Sequence, residues 1–313
     1  GPATILADPP DRWHTRRGTR LPAGVVSLPE WPPKPAFTHA LKAAAPDRVL
    51  HTNRWTHWGW VPTHDARRPA FLVGSQAIGP EGFLDEFASP ATSVTDETLS
   101  GASKFGVWLA DSQDELRRSV IEVVDRFVGD RAVFRDRRVG AALLAAMLRP
   151  TAPLPSSVSI MLIGPPKGGK SWSAAAVLAG WQAEPGTWTE KSLPGSANDT
   201  PASIEAAVSS TSIWVADDLA PSPDRAKANA QETAISDLVR AIHNKSARRR
   251  MRPDMTAQAQ RTPRALVIVT AENPLSVASA ADRVIVLPAP PGSLVDSEFS
   301  DFVSWRDNSG DAA

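Results

Sequence analysis

The residues with the clearest chemistry are Gly164-Pro165-Pro166-Lys167-Gly168-Gly169-Lys170-Ser171. They satisfy the spacing G-x-x-x-x-G-K-[ST] at every fixed position. Glycines there let the backbone curl until successive N–H groups point at one anion, and a helix starting next adds its partial positive charge. In such a loop Lys170 reaches the β- and γ-phosphates and the Ser171 hydroxyl sits on Mg²⁺. Residues 164–171, with Trp172 beside them, are therefore the candidate binding segment for ATP and Mg²⁺. An ordinary Gly-rich turn is the plain alternative. The flanks argue against it, because Val158, Ile160, Met161, Leu162 and Ile163 read as a covered parallel strand and Ser171 to Trp181 as a helix.

Breaking a phosphoanhydride also needs a carboxylate near the metal. The run Ser212-Ile213-Trp214-Val215-Ala216-Asp217-Asp218 is a second buried strand ending in two acids. Asp217 is placed to hold Mg²⁺ through water, and Asp218, pointing differently, to orient and deprotonate the attacking water. The competing reading is two aspartates that simply start a loop. A third apolar run, Ala265 to Thr270, leads into Ala271-Glu272-Asn273-Pro274. A polar side chain here would contact the γ-phosphate or the lytic water, with Asn273 the first choice and Thr270 the second. Asn-Pro also suits a helix cap or turn.

These groups need a rigid frame. Strands alternate with helices: Thr200 and Pro201 are an N-cap and N1 pair opening a helix over 202–209. Ile235, Leu238, Val239 and Ile242 mark the apolar face of a longer one, and Arg283 to Leu287 is a fourth buried strand. Alternation of this kind predicts a parallel sheet covered on both faces. The fold class is α/β: a parallel-sheet P-loop core at 151–291, preceded by a smaller mixed β/helical N-terminal region. Before the core, 1–36 is a Pro-rich extended arm and 37–110 a Trp-rich region of short strands. There 47–51 and 54–61 read as a strand pair and 69–73 as a third strand. Trp58 and Trp60, two apart, are expected to share a core face rather than form a base-stacking platform. His51, His57 and His64 fit no zinc spacing. Residues 111–150 are a helical connector. Its first helix is opened by a Ser112/Glu115 capping box, with Leu116, Val120, Val123, Val124 and Phe127 on one face. Its second runs from Val139 to Leu148 and stops at Pro150. The tail at 292–313 is acidic, and Phe299, Phe302 and Trp305 suggest a short docking helix.

Composition narrows the classes. The 313 residues, 42% hydrophobic and 22% charged, are a globular profile with room for one large or two ordinary domains. Formal net charge is zero, so contact with nucleic acid must come from a local patch. The chain has no cysteine, which removes disulfides, thiolate metal sites and cysteine nucleophiles and suits a reducing, cytoplasmic setting. No apolar run approaches the length of a membrane span, so no membrane partner is expected. The opening Gly1-Pro2, without Met, reads as a protease scar or an internal start.

The three motifs, Gly164–Ser171, Asp217-Asp218 and Thr270–Pro274, in this order, resemble AAA+ ATPases. Within that class they are similar to superfamily 3 helicases, including primase-associated ATPases of phages, plasmids and integrative elements. The resemblance spans roughly residues 101–290. It implies a homo-oligomeric ring, usually a hexamer, with ATP sites between subunits driving movement along single-stranded or forked DNA. A primase or other replication protein is an implied partner. It also implies an arginine given in trans to the γ-phosphate, which Arg283 matches best, with Arg264 in reserve. Two departures stand out: the second acid is Asp rather than Glu, and the chain ends soon after the fourth strand, without a full helical lid. The slot between the long helix and the third strand holds Lys245, Arg248, Arg249, Arg250 and Arg252. In superfamily 3 helicases a DNA-gripping hairpin occupies it. Cations replacing condensed counterions suit that role; a solvated basic loop, or arginines reaching a neighbour's nucleotide, are the other readings. Rival functions are a P-loop kinase and a non-motor regulatory NTPase, for instance in phage defence.

Overall fold

The apolar runs around the glycine-rich loop pair side by side. The computed structural model describes residues 57–62, 69–74, 76–80, 82–84, 104–108, 110–221, 223–247 and 261–308. The Pro-rich arm, the strand expected at 47–51, His51, His64, and Arg248, Arg249, Arg250 and Arg252 lie outside them. In chain order the elements are β1 (Gly59–Val61), β2 (Ala70–Val73), β3 (Gln76–Gly79), β4 (Gly82–Phe83), α1 (Gln113–Val128), α2 (Arg137–Leu148), β5 (Ser159–Ile163), α3 (Lys170–Leu178), α4 (Pro201–Ser210), β6 (Ile213–Leu219), α5 (Arg225–Asn244), β7 (Leu266–Ala271), α6 (Ala278–Ala281), β8 (Val284–Pro288) and α7 (Asp296–Asn308).

Strands β5 to β8 make a parallel four-stranded sheet in the order β6-β7-β5-β8. Alternate residues serve two cores. Ile160, Leu162, Val215 and Ile268 pack with α3, α2 and α7, while Met161, Trp214, Val267 and Val269 pack with α4 and α5. Burial on both faces is why these strands read as unbroken apolar runs. Strand β8 departs from the expectation of a fourth buried strand. It pairs with β5 at the sheet edge, and Ile285 and Val286 are about half exposed, at 48% and 50%. Its composition matches that of a central strand, so the sequence pattern does not report the edge.

Helix starts follow local chemistry. Thr200 accepts from the Ser203 amide at 3.3 Å with Pro201 at the first turn. Asp224 caps α5 through the Ala226 and Lys227 amides, and Ser112 caps α1 through that of Glu115. The single apolar face expected of α1 does not hold along its length. Leu116, Val120 and Val124 are exposed, whereas Phe127 is fully buried against Phe134 and Phe302. Only the C-terminal half of the helix meets the core.

The aromatic tail does dock. Trp172 of α3 packs against Phe299 and Phe302 of α7, with ring centroids 4.9 and 5.1 Å apart.

Strands β1 to β4 form an antiparallel meander. It joins the core where the Trp58 amide donates to the Ser210 carbonyl at 3.0 Å and Trp58 packs on Phe105 and Trp181. Trp58 and Trp60 do not share a face: Trp58 is 2% exposed and Trp60 38%. Between them Gly59 takes φ +105°, which breaks the two-residue alternation.

At this junction His57 is pushed down to about 4, first by burial and then by the charge of Arg264. The folded chain therefore refuses a proton that the unfolded chain accepts near 6.5. Stability is then lost as pH falls from 6.5 toward 4 and is unaffected above that window. His57→Asn is expected to flatten the thermal midpoint between pH 6.5 and 5, before carboxylates titrate; an unchanged slope would contradict this account.

Candidate functional site

The glycine-rich loop joins the end of β5 to the start of α3. Its curvature rests on positions that other residue types would not tolerate. A Cβ at Gly164 or Gly168 would lie 2.0 or 1.9 Å from the Ala289 carbonyl oxygen. Gly169, the N-cap of α3, takes φ +79°, and Lys167 is left-handed at φ +66°. Left-handed residues just before a helix are a feature of anion nests; here the Gly168 amide donates to the Pro165 carbonyl at 3.3 Å, and the first-turn amides of α3 have no intrahelical acceptor. Pro165 and Pro166 carry no N–H, so they shape the loop without adding donors. The Lys170 ammonium donates to the Gly164 and Pro165 carbonyls at 2.7 and 2.9 Å. Its charge is thus held over the loop by neutral acceptors that a phosphate oxygen would outcompete.

Beside the loop lies one hydroxyl–carboxylate network. Ser171 Oγ donates to Asp217 Oδ1 at 2.8 Å, and Thr270 Oγ1 donates to the same oxygen at 2.6 Å. Thr270 Oγ1 in turn accepts from the Asp218 amide at 2.9 Å. Ser171, Asp217 and Thr270 come from three chain segments and meet at the C-terminal ends of β5, β6 and β7. The neighbouring acids are aimed apart by a register shift in β6 between Ala216 and Leu219, where Asp218 adopts φ +64°. Asp217 is half-buried and Asp218 exposed. Hydroxyl and carboxylate oxygens are the donor set that a hard divalent cation such as Mg²⁺ prefers, so the residues present fit it.

The other expected site residues fall as follows. Asn273 lies just past β7 at the same end of the sheet, exposed, and makes no hydrogen bond to the described residues. Thr270, the second choice, is the residue of that strand joined to the acids. Trp172 turns its indole into the aromatic core, leaving its first-turn backbone as the part that faces the loop. Arg283 precedes Val284, the register partner of Ser159. It therefore stands at the end of the sheet opposite the glycine-rich loop, where its guanidinium donates to the Ser279 carbonyl. Arg264, before β7, is at that far end too. Lys245 closes α5 in a left-handed cap at φ +49° and is exposed.

Sequence reasoning missed the floor of the loop. After β8 the chain passes beneath it: the Ala289 amide donates to the Ile163 carbonyl at 2.7 Å, and Ser293 Oγ to the Gly168 carbonyl at 2.9 Å. The Arg135 amide donates to the Ser293 carbonyl, and the Val295 amide to that of Val133. The glycines at 164 and 168 were the signal that some backbone comes this close. They do not say which.

No known protein-family profile matches the sequence, and no curated protein matches it. Among solved structures, one described as "SCCmec type IV Cch - active helicase" is similar, at 15% identity and a TM-score of 0.44. The match covers 87% of this chain and 46% of that one, so the chain spans less than half of that structure's length. The architecture itself is an antiparallel N-terminal sheet followed by a parallel four-stranded α/β core. Among the described residues no helix is long and apolar enough to cross a membrane, and no cluster of three or more His, Asp or Glu is arranged to hold a metal.

Thr270→Val removes the donor to Asp217 and strands the Asp218 amide. A loss of about 1–3 kcal/mol is expected, read as a lower denaturant midpoint. Thr270→Ser should keep most of the stability; equal losses in both variants would show that the methyl, not the hydroxyl, matters.

Proposed function

We propose that this chain is an Mg-ATP-hydrolysing motor of helicase or translocase type that works on DNA in the replication of a mobile element such as a phage or plasmid. The observation that carries the reading is the meeting of Ser171, Asp217 and Thr270 beside an amide-lined loop bearing Lys170. Phosphoryl transfer asks a protein for positioning and charge neutralisation more than for covalent chemistry, and this arrangement supplies both.

In this reading the amides of residues 167–172 receive the β-phosphate, and Lys170 leaves the Gly164 and Pro165 carbonyls for phosphate oxygens. Ser171 and Asp217 would hold Mg²⁺, which would offset the negative charge gathered around the γ-phosphate. Asp218, exposed and turned away from the network, orients the attacking water and accepts its proton. Thr270 fixes the rotamer of Asp217, and Asn273 reaches the γ-phosphate or the water from the same end of the sheet. Arg283 lies too far from its own loop to serve it, which suits action on a neighbouring copy. ATP is then cleaved between subunits of a homo-oligomeric ring, with six the expected number. The basic stretch 245–252 supplies phosphate-backbone contacts to single-stranded or forked DNA, and a primase or other replication protein is a further expected partner.

Lys170→Ala is expected to abolish saturable uptake of labelled ATP in the presence of Mg²⁺; undiminished uptake would remove the loop from the mechanism. Asp218→Asn should bind ATP as the parent does while hydrolysis falls by about 10²–10⁴-fold. Turnover measured with and without single-stranded DNA then separates a motor from a regulatory NTPase or a kinase: stimulation is expected, and indifference to DNA would end the motor reading.

A further inference from the structure

The end of the parallel sheet opposite the phosphate loop is also chemically marked. Where the N-termini of β5, β6 and β7 meet β1, a shallow, open recess is lined by Trp60, Arg149, Ser156, Ser212 and Arg264, with a proline-rich rim at 150–155. Among the described residues no acidic side chain lines it. Arg149 is anchored by neutral acceptors, donating to the Leu154 and Pro155 carbonyls at 3.0 and 3.2 Å, so its charge is positioned but not cancelled. Arg264 is half-buried, and its guanidinium has no hydrogen-bond or ion-pair partner among the described residues. Burial holds its pKa below the usual arginine range, and its charge depresses His57 in turn. A cation withdrawn from water without a partner is costly. Arg264 in that state, beside an Arg149 whose charge is held only by neutral carbonyls, makes a place where an anion is favoured.

Two further observations say which anion. Trp60 on the wall keeps 38% of its surface exposed, while its Nε1 is fixed on the Thr151 carbonyl at 2.7 Å and its ring meets Phe71 edge-on at 5.4 Å. An indole held this way is a rigid stacking surface. The described residues on either side of the basic stretch also lie toward this end of the sheet. Helix α5 runs back to this end of the sheet, Ala241 and Pro263 line a common groove, and Pro263 adjoins Arg264. Both flanks of the stretch containing Arg248, Arg249, Arg250 and Arg252 therefore reach this end.

We infer that this recess takes a phosphodiester of single-stranded DNA, with Arg149 and Arg264 on the phosphate and Trp60 against an adjoining base. The geometry stands by itself; the choice of DNA rests on the motor function proposed above. The five residues of β5 separate the recess from the ATP loop by roughly 17 Å, so substitutions here should leave nucleotide uptake by the single subunit intact.

The test uses the full chain without nucleotide and a fluorescein-labelled oligothymidylate, with anisotropy followed across a salt series. Arg264→Gln and Arg149→Gln are each expected to weaken binding roughly tenfold and to reduce the salt slope by about one. Trp60→Leu should weaken binding with the slope unchanged, since it removes stacking and no charge. Inorganic phosphate at matched ionic strength should not displace the oligomer. Labelled-ATP uptake, measured on the same samples, reports folding. Parent-like affinity and slope in both arginine variants would overturn the recess while leaving DNA binding to the basic stretch. Displacement by phosphate alone would make it a free-anion site and overturn the proposal. If the parent chain binds no oligomer yet takes up ATP, the recess and the DNA part of the motor reading fall together, and the ATPase part stands.

Discussion

One carboxylate oxygen organises the site. Strand β7 lies between β5 and β6 in the sheet, so anything joining the loop after β5 to the acids after β6 must pass over the end of β7. Asp217 Oδ1 makes that join by accepting from Ser171 on one side and from Thr270 on the other. Threonine suits the middle position because a hydroxyl donates and accepts at once. It gives its proton to Asp217 and receives the Asp218 amide, so the side chain of one acid and the backbone of the next are fixed by the same group. Shifting any of the three strands lengthwise would break at least one of these bonds.

The backbone around that oxygen is held away from its easiest conformations. Lys167 and Asp218 are non-glycine residues with positive φ, a state that costs on the order of 1–3 kcal/mol where surroundings enforce it. The surroundings are visible in each case. The Ala289 carbonyl presses on the loop from below, and the Ser196 hydroxyl and the Ala197 and Asp217 amides tie the segment 195–197 to the end of β6. Gly195 is needed there, since a Cβ would sit 1.9 Å from the Trp214 ring. Both halves of the site are therefore shaped by contacts outside the motifs themselves.

This explains what could and could not be read from the chain. Strands β5, β6 and β7 were legible because burial on two faces writes itself as uninterrupted Val, Ile, Leu and Ala. The glycine-rich loop and the paired acids could be picked out by residue type and spacing, and the structure brings Ser171 and Asp217 together. Strand β8 and helix α1 show the limit: apolar residues such as Ile285, Val286, Leu116 and Val120 look the same whether or not a neighbour arrives to cover them. Asn273 outranked Thr270 on residue type alone; the register of β7 against β6, which places a hydroxyl against Asp217, is a property of pairing and not of local pattern. Trp58 and Trp60 were separated by the φ angle of a glycine, which composition does not disclose. The support from residues 289–295 was hidden for a similar reason, since Ala289 acts through its backbone and the Ser293 hydroxyl meets a backbone carbonyl, neither of which leaves a pattern in the sequence.

That support has a consequence for biosynthesis. The ribosome delivers the glycine-rich loop well before the polypeptide that lies under it, and the indole of Trp172 waits for Phe299 and Phe302 from α7. Until those residues leave the exit tunnel, Gly164 and Gly168 face an unfilled floor and α3 lacks part of its aromatic packing. The loop consequently gains its floor and α3 its full aromatic packing only after residues 289–302 have been made, whatever the order in which the strands themselves condense.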